Sequence, residues 1–209
     1  MTTLLHIECS PRKQRSASLE IARQFIARYQ HNAPDTRVVT LDLWALDLPE
    51  FDGPIMEAKY AGLSGTALTE EQAAAWDSLR SLATHLHQAD LLVFSVPLWN
   101  FALPYKLKHF IDVVSQKGVL FEFSPEHGLR GLLHDKTAVN VYARGMDFSA
   151  PDAQAMDFQK PYMEAWLGFI GVTDVHSLSV EKTILGPEVD QASRQAATEQ
   201  ALALADRLA

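Results

Sequence analysis

The chain has 209 residues, 47% hydrophobic and 21% charged, a balance suited to one globular domain with a sizeable buried core. Its net charge of -8 argues against a nucleic-acid or anionic-membrane surface, so any anion site has to be built locally from a few cations and backbone dipoles. No apolar run approaches the length of a membrane span, residues 1–20 carry no signal-peptide pattern, and the lone Cys9 cannot form an intrachain disulfide; the expectation is a cytoplasmic protein. Cys9, at the end of the first strand, reads as a small core residue rather than a reactive thiol.

In chain order, Leu4–Glu8 is the first predicted strand, and Ile21, Ala22, Phe25, Ile26 and Tyr29 follow at helical spacing. Arg37–Leu41 is the second strand. A loop is expected over 44–68, where Pro49, Gly53, Pro54, Gly62 and Gly65 accumulate. Thr69-Glu-Glu-Gln72 is a capping box opening a helix whose apolar stripe is Trp76, Leu79, Ala83 and Leu86. The third strand begins near Leu91. Pro104 suits the first turn of a helix carrying Leu107, Phe110, Ile111 and Val114. A loop is expected over 117–133, then a fourth strand at Lys136–Tyr142, a helix over 158–169, a fifth strand at Asp174–Leu178, and an Ala-rich helix from Pro187 to the end. With no repeat or linker, residues 1–209 read as one domain.

Strands alternating with helices imply a three-layer α/β/α sandwich around a parallel sheet. Five strands fit the flavodoxin-like order 2-1-3-4-5, with a switch point between strands one and three. Ligands of such sheets bind outside the carboxyl ends of the strands, so the loops after strands one, three and four should make joint chemical sense.

The first of these loops, Cys9–Ser18, has no glycine and so neither a dinucleotide fingerprint nor a P-loop. It offers the hydroxyls of Ser10, Ser16 and Ser18 and the charges of Arg12, Lys13 and Arg15, and it runs into the positive end of a helix, a pocket for one phosphate monoester. After the third strand come Pro97, Leu98, Trp99, Asn100 and Phe101; an indole and a phenyl beside an amide either cap the core or hold a flat, hydrogen-bonding heterocycle. After the fourth strand, Gly145 permits either close backbone approach or a turn. Arg144 either balances negative charge on a reduced flavin or forms a surface ion pair. Phosphate grip, aromatic and amide contacts, and a permissive backbone together match a flavin mononucleotide.

On these residues the chain resembles the FMN-dependent NADH azoreductases, within the flavodoxin-like NAD(P)H:quinone oxidoreductases. The likeness covers nearly the whole length: Ser10 and Ser16-Ala-Ser18, Pro97–Phe101 with Leu107-Lys108 and Phe110-Ile-Asp112, Gly118–Phe123, Arg144-Gly145, Gly168–Asp174 and Gly186-Pro-Glu188. The family typically has Met-Tyr-Asn-Phe where this chain has Leu98–Phe101, and often a second glycine where it has Met146, a difference that bears on that loop's backbone.

The resemblance implies an FMN site formed by Ser10, Ser16, Ala17, Ser18, Pro97, Leu98, Trp99, Asn100, Phe101, Ala143, Arg144, Gly145 and Met146. It also implies a homodimer with two FMN sites at its interface, and ping-pong hydride transfer from NADH or NADPH to quinones and azo compounds. Such chemistry needs positioning and exclusion of water rather than an acid–base dyad, so no catalytic side chain and no metal is expected. Phe121, Phe123 and Phe169 are candidates to wall a pocket for planar aromatic acceptors. A flavodoxin-like electron carrier or other FMN-binding protein is the alternative. An acyl-carrier-protein phosphodiesterase is a weaker one, because neither metal ligands nor an activated nucleophile cluster here.

Overall fold

A computed structural model describes residues 1–64 and 66–209. In chain order its elements are β1 (Thr3–Glu8), α1 (Ala17–Asn32), β2 (Arg37–Asp42), α2 (Gly53–Ser64), α3 (Glu70–Gln88), β3 (Leu91–Pro97), α4 (Tyr105–Val114), β4 (Phe121–Ser124), β5 (Gly128–Gly131), β6 (Thr137–Ala143), α5 (Pro151–Gln154), α6 (Lys160–Ile170), β7 (Asp174–Val180) and α7 (Pro187–Leu208). The main sheet is parallel, in the order β2-β1-β3-β6-β7. Counting only its own strands, this is the 2-1-3-4-5 order expected of a flavodoxin-like fold.

The period-two alternation of the strands sends side chains to two cores. Leu4, Val93, Val139, Val141 and Val180 meet α1, through Ile21, Phe25 and Ile26, and α7, through Ala197, Ala201 and Leu204. Leu5, Ile7, Leu92, Phe94, Val96 and Tyr142 meet α3, α4 and α6 on the other face. Each buried Leu or Phe stabilises by about 1.5–3 kcal/mol, so the two cores hold the strand ends rigidly enough to carry a site. No described helix is long and apolar enough to cross a membrane.

The capping box forms as read: Gln72 N donates to Thr69 Oγ1 at 3.2 Å and Thr69 N to Gln72 Oε1 at 3.0 Å. Two expected loops are corrected. Within 44–68 lies α2, with Ile55 and Ala58 buried in the core. Gly53-Pro54 reads as a breaker, yet a proline in a helix's first turn loses no hydrogen bond and pre-sets φ. Gly62 falls within α2, and Gly65 lies outside the described residues. Within 117–133 lies the β4–β5 hairpin, in the register Phe121↔Gly131. Gly131 is needed there, since a Cβ would sit 2.2 Å from Gly171 N.

The hairpin is anchored at the amino end of the sheet. α4 leaves the carboxyl end of β3 and runs back along it, and the next segment is tied by Val119 O to His87 Nε2 (2.7 Å) and by Leu133 N to Ile170 O (2.8 Å). His87 and Ile170 lie just before the starts of β3 and β7.

Candidate functional site

The loop after β1 begins with Cys9 N donating to Ser95 O (3.2 Å), and Ser10 Oγ accepts from Arg12 N (3.3 Å). Lys13 takes a left-handed φ of 48° and turns its ammonium inward onto Asp42 and onto Glu8 (3.5 Å), which also pairs with Arg23 at 3.1 Å. Lys13 is therefore committed to the protein, whereas Arg12 and Arg15 stay exposed. Ser16 is the N-cap of α1; its Oγ accepts from Leu19 N at 3.5 Å and lies 3.2 Å from Ser18 Oγ. Both serines are buried, Ala17 and Ser18 open the helix, and its first N–H groups have no intrahelical acceptors. Paired hydroxyls over a helix N-terminus fit a phosphate monoester. Burial pushes the Cys9 thiol up, which keeps it inert. Burial likewise lowers His6, on β1 and 2.5 Å from Ser95 Oγ, to about 4, so its imidazole is neutral.

The residues after β3 form a tight turn. Trp99 N donates to Ala102 O (3.0 Å) and Ala102 N to Trp99 O (2.9 Å), enclosing Asn100 and Phe101 with φ of 48° and 67°. Positive φ at both central positions is the pattern of a type I′ hairpin turn. Asparagine tolerates it, but phenylalanine there is an outlier of the sort that costs about 1–3 kcal/mol and persists only when neighbours impose it. One neighbour is Phe158, whose N–H donates to Phe101 O (2.9 Å). Among the described residues no acceptor meets the N–H groups of Asn100 and Phe101. Phe101 is 42% exposed. Leu98 N, just after Pro97, donates to Ala143 O (2.8 Å), joining this turn to the loop after β6.

Trp99 joins an aromatic trio at the rim of the crevice. Trp44 lies 5.7 Å from it and 5.3 Å edge-on to Tyr105, and Trp44 Nε1 donates to Cys9 O (3.0 Å). Trp44 and Tyr105 were not among the residues read as candidates. Trp44 follows the end of β2 and Tyr105 opens α4 just past the turn, so the rule that selects carboxyl-end loops points to both.

Arg144 requires a correction. Neither a free cation nor a surface residue, it is 4% exposed and pairs with Asp157 (2.7 Å) and Glu181 (3.2 Å). Its Nε donates to Gln159 Oε1 (3.0 Å), and its guanidinium lies 5.2 Å and 4.9 Å from the Tyr142 and Phe148 rings. Its backbone is engaged too, N–H to Val180 O (2.8 Å) and C=O from Thr183 N (3.2 Å). By contrast, the N–H groups of Gly145 and Met146 meet no acceptor among the described residues. Neither residue has positive φ, so a methionine fits where a second glycine was expected to matter. Gly145 is instead a close-approach position, where a Cβ would meet Ile184 at 3.3 Å.

The three phenylalanines stand apart from this crevice. Phe121 and Phe169 pack together at 4.8 Å, and Phe169 lies against the core near the end of α6. Phe121 and Phe123, the latter 52% exposed, line a cavity of about 670 Å3 with Trp76 and Leu129. All three belong to segments anchored at the amino end of the sheet.

The profile of the flavodoxin-like fold matches residues 2–205. The chain is 65% identical over 212 residues to FMN-dependent NADH:quinone oxidoreductase 3 of Pseudomonas fluorescens, covering 100% of this chain and 98% of that protein. It is 50% identical over 190 residues to FMN-dependent NADH:quinone oxidoreductase 9 of Burkholderia lata, covering 89% and 90%. Among solved structures, an azoreductase from Bacillus anthracis str. Sterne has a TM-score of 0.90 at 29% identity, with 100% of both chains covered. The carboxyl-end crevice and these matches along the whole length lead to one assignment: the chain belongs to the family of FMN-dependent NADH:quinone oxidoreductases, on a flavodoxin-like fold.

Proposed function

We propose that this chain is an FMN-dependent oxidoreductase that reduces quinones and azo compounds with NADH or NADPH in two-electron, ping-pong turnover, as a cytoplasmic homodimer. The observation that carries the reading is the convergence, outside the carboxyl ends of β1, β3 and β6, of two buried hydroxyls at a helix N-terminus with an overdetermined Trp-Asn-Phe turn and unpaired backbone donors. Ser16, Ser18 and the start of α1 would hold the phosphate, with Ser10 shaping the loop. Trp99, Asn100 and Phe101 would pack on and bond to the ring system, and the N–H groups of Gly145 and Met146 would bond to its polar edge. The bound flavin would supply the hydride-accepting and hydride-donating centre. The chain's own work is to bind, orient and exclude water, which requires no acid–base pair.

The positions of Phe121, Phe123 and Phe169 support a shared site. If they wall the acceptor pocket, they would do so over a partner's crevice, since within their own chain they line a separate cavity with Trp76 and Leu129 or pack on one another. Exposed Phe101, Met146, Phe158, Ile184 and Leu185 offer apolar surface for such a partner to cover.

The visible spectrum of the purified protein is the first test. Flavin bands near-stoichiometric with chain are expected, followed by quinone-dependent NADH oxidation giving parallel double-reciprocal lines. A colourless protein that takes up no added FMN would overturn the reading, and bound FMN without turnover would leave an electron carrier. Mixing two differently impaired variants under proven subunit exchange should restore activity if sites are shared.

A further inference from the structure

The two loops that would meet the flavin ring, 97–101 and 143–146, are more than forty residues apart in sequence. They meet directly at the end of the β3–β6 ladder, where Pro97 faces Ala143 and Leu98 N donates to Ala143 O. The turn's Phe101 sits in a backbone region it does not favour, so something must hold it there. The segment preceding α6 does so at several points. Phe158 N–H holds Phe101 O (2.9 Å), and Gln159 Nε2 holds Val96 O (3.0 Å), the carbonyl just before Pro97. Gln159 Oε1 and Asp157 Oδ2 together hold the Arg144 guanidinium. Asp157 Oδ1 accepts from Gln159 N (2.9 Å) and Lys160 N (3.0 Å), which fixes the segment itself against α6. Glu181 completes the cluster, taking Arg144 Nη1 (3.2 Å) and Phe148 N (3.1 Å).

Gln159 is 0% exposed, and its amide donates toward one loop while its oxygen accepts from the other. A buried polar network of this kind adds little net stability over an apolar core, but it can select a single geometry. We propose that Asp157-Phe158-Gln159 is a brace that sets the two ring-binding loops relative to one another, with Gln159 and Arg144 as positioning residues that do not touch the flavin. The proposal rests on the reading that FMN occupies the crevice. It separates the ring end of the site from the phosphate end, since among the described residues no bond joins the brace to the loop after β1.

Gln159→Met keeps the volume and removes both bonds. FMN and riboflavin affinities should then fall by the same factor, roughly tenfold, because the lost organisation concerns the ring they share. In Gln159→Glu the introduced carboxyl accepts from Arg144 in either state but reaches Val96 O as a donor only when protonated. Its riboflavin affinity should recover as pH is lowered, while the unaltered protein and Gln159→Met show no such recovery. Should the Met variant fail to fold, the Glu variant carries the comparison within one polypeptide at two pH values. Lowered thermal stability with unchanged riboflavin affinity would overturn the brace, as would a pH-independent Glu variant. Failure of the unaltered protein to bind FMN would instead overturn the functional reading, so the two failures are distinguishable.

Discussion

The two ends of the proposed cofactor site are built in different ways. The phosphate end is contiguous: one loop, one N-cap and one helix start, all within residues 10–19. The ring end is assembled from residues 97–101, 143–146 and 157–159, joined by a buried cluster around Arg144. A contiguous site can lose a contact and keep its shape. An assembled one depends on a scaffold that never meets the ligand.

That difference is broken most severely at Arg144. Arg144→Met strips the partner from two carboxylates, one of them 10% exposed, and should destabilise the fold by about 3–5 kcal/mol, read from urea unfolding. A loss under about 1 kcal/mol would mean that the cluster is slack and the ring end is held by other means.

Acid separates the ends as well. His6, below the phosphate loop, is lowered by burial to about 4 from an ordinary 6.5. The unfolded chain therefore binds the extra proton first as pH falls, and stability drops progressively from about pH 6.5 to about pH 4, by about 3 kcal/mol in all. Above that window this group contributes no pH dependence. Replacing His6 with glutamine should flatten the profile between those limits; an unaltered slope would assign the acid sensitivity elsewhere.

Ser16→Ala with Ser18→Ala should remove charge-assisted bonds that contribute roughly 1.5–3 kcal/mol each, so that FMN is lost on gel filtration. Loss of the Ser16 cap adds about 1 kcal/mol to the destabilisation of α1, while riboflavin affinity should hold. Gln159→Met should instead weaken FMN and riboflavin by the same factor. A riboflavin loss matching the FMN loss would erase the distinction between the ends.

How legible each part was in the sequence follows the same line. The strands could be read because buried parallel strands are largely apolar runs, as in Leu91–Phe94, and their order followed from alternation with helices. The phosphate loop could be read because hydroxyls, cap and helix start are neighbours in the chain. The burial of Arg144 could not be read because its charge is cancelled by Asp157 and by Glu181, 37 residues away, and nothing local announces either. Lys13 was counted toward the phosphate for the same reason, its partner Asp42 lying at the end of another strand. The helix within 44–68 was hidden by Gly53-Pro54, residues that open helices as readily as they end them.

The smallest expected effect tests whether the ring end stores strain. Phe101 has φ of 67°, a region that costs an ordinary L-residue about 1–2 kcal/mol and glycine almost nothing. Its side chain is 42% exposed, so truncation removes little buried area. Glycine and alanine at this position both lose the ring, but alanine keeps the backbone penalty. Glycine gives part of its advantage back through the greater freedom of the unfolded chain. Phe101→Gly should therefore be more stable than Phe101→Ala by about 1 kcal/mol in paired urea unfolding curves. Both variants should alter the relative rates for bulky and small acceptors, because both lose the exposed phenyl. If alanine proves as stable as glycine, the turn relaxes without its phenylalanine, and the brace holds no strained backbone in place.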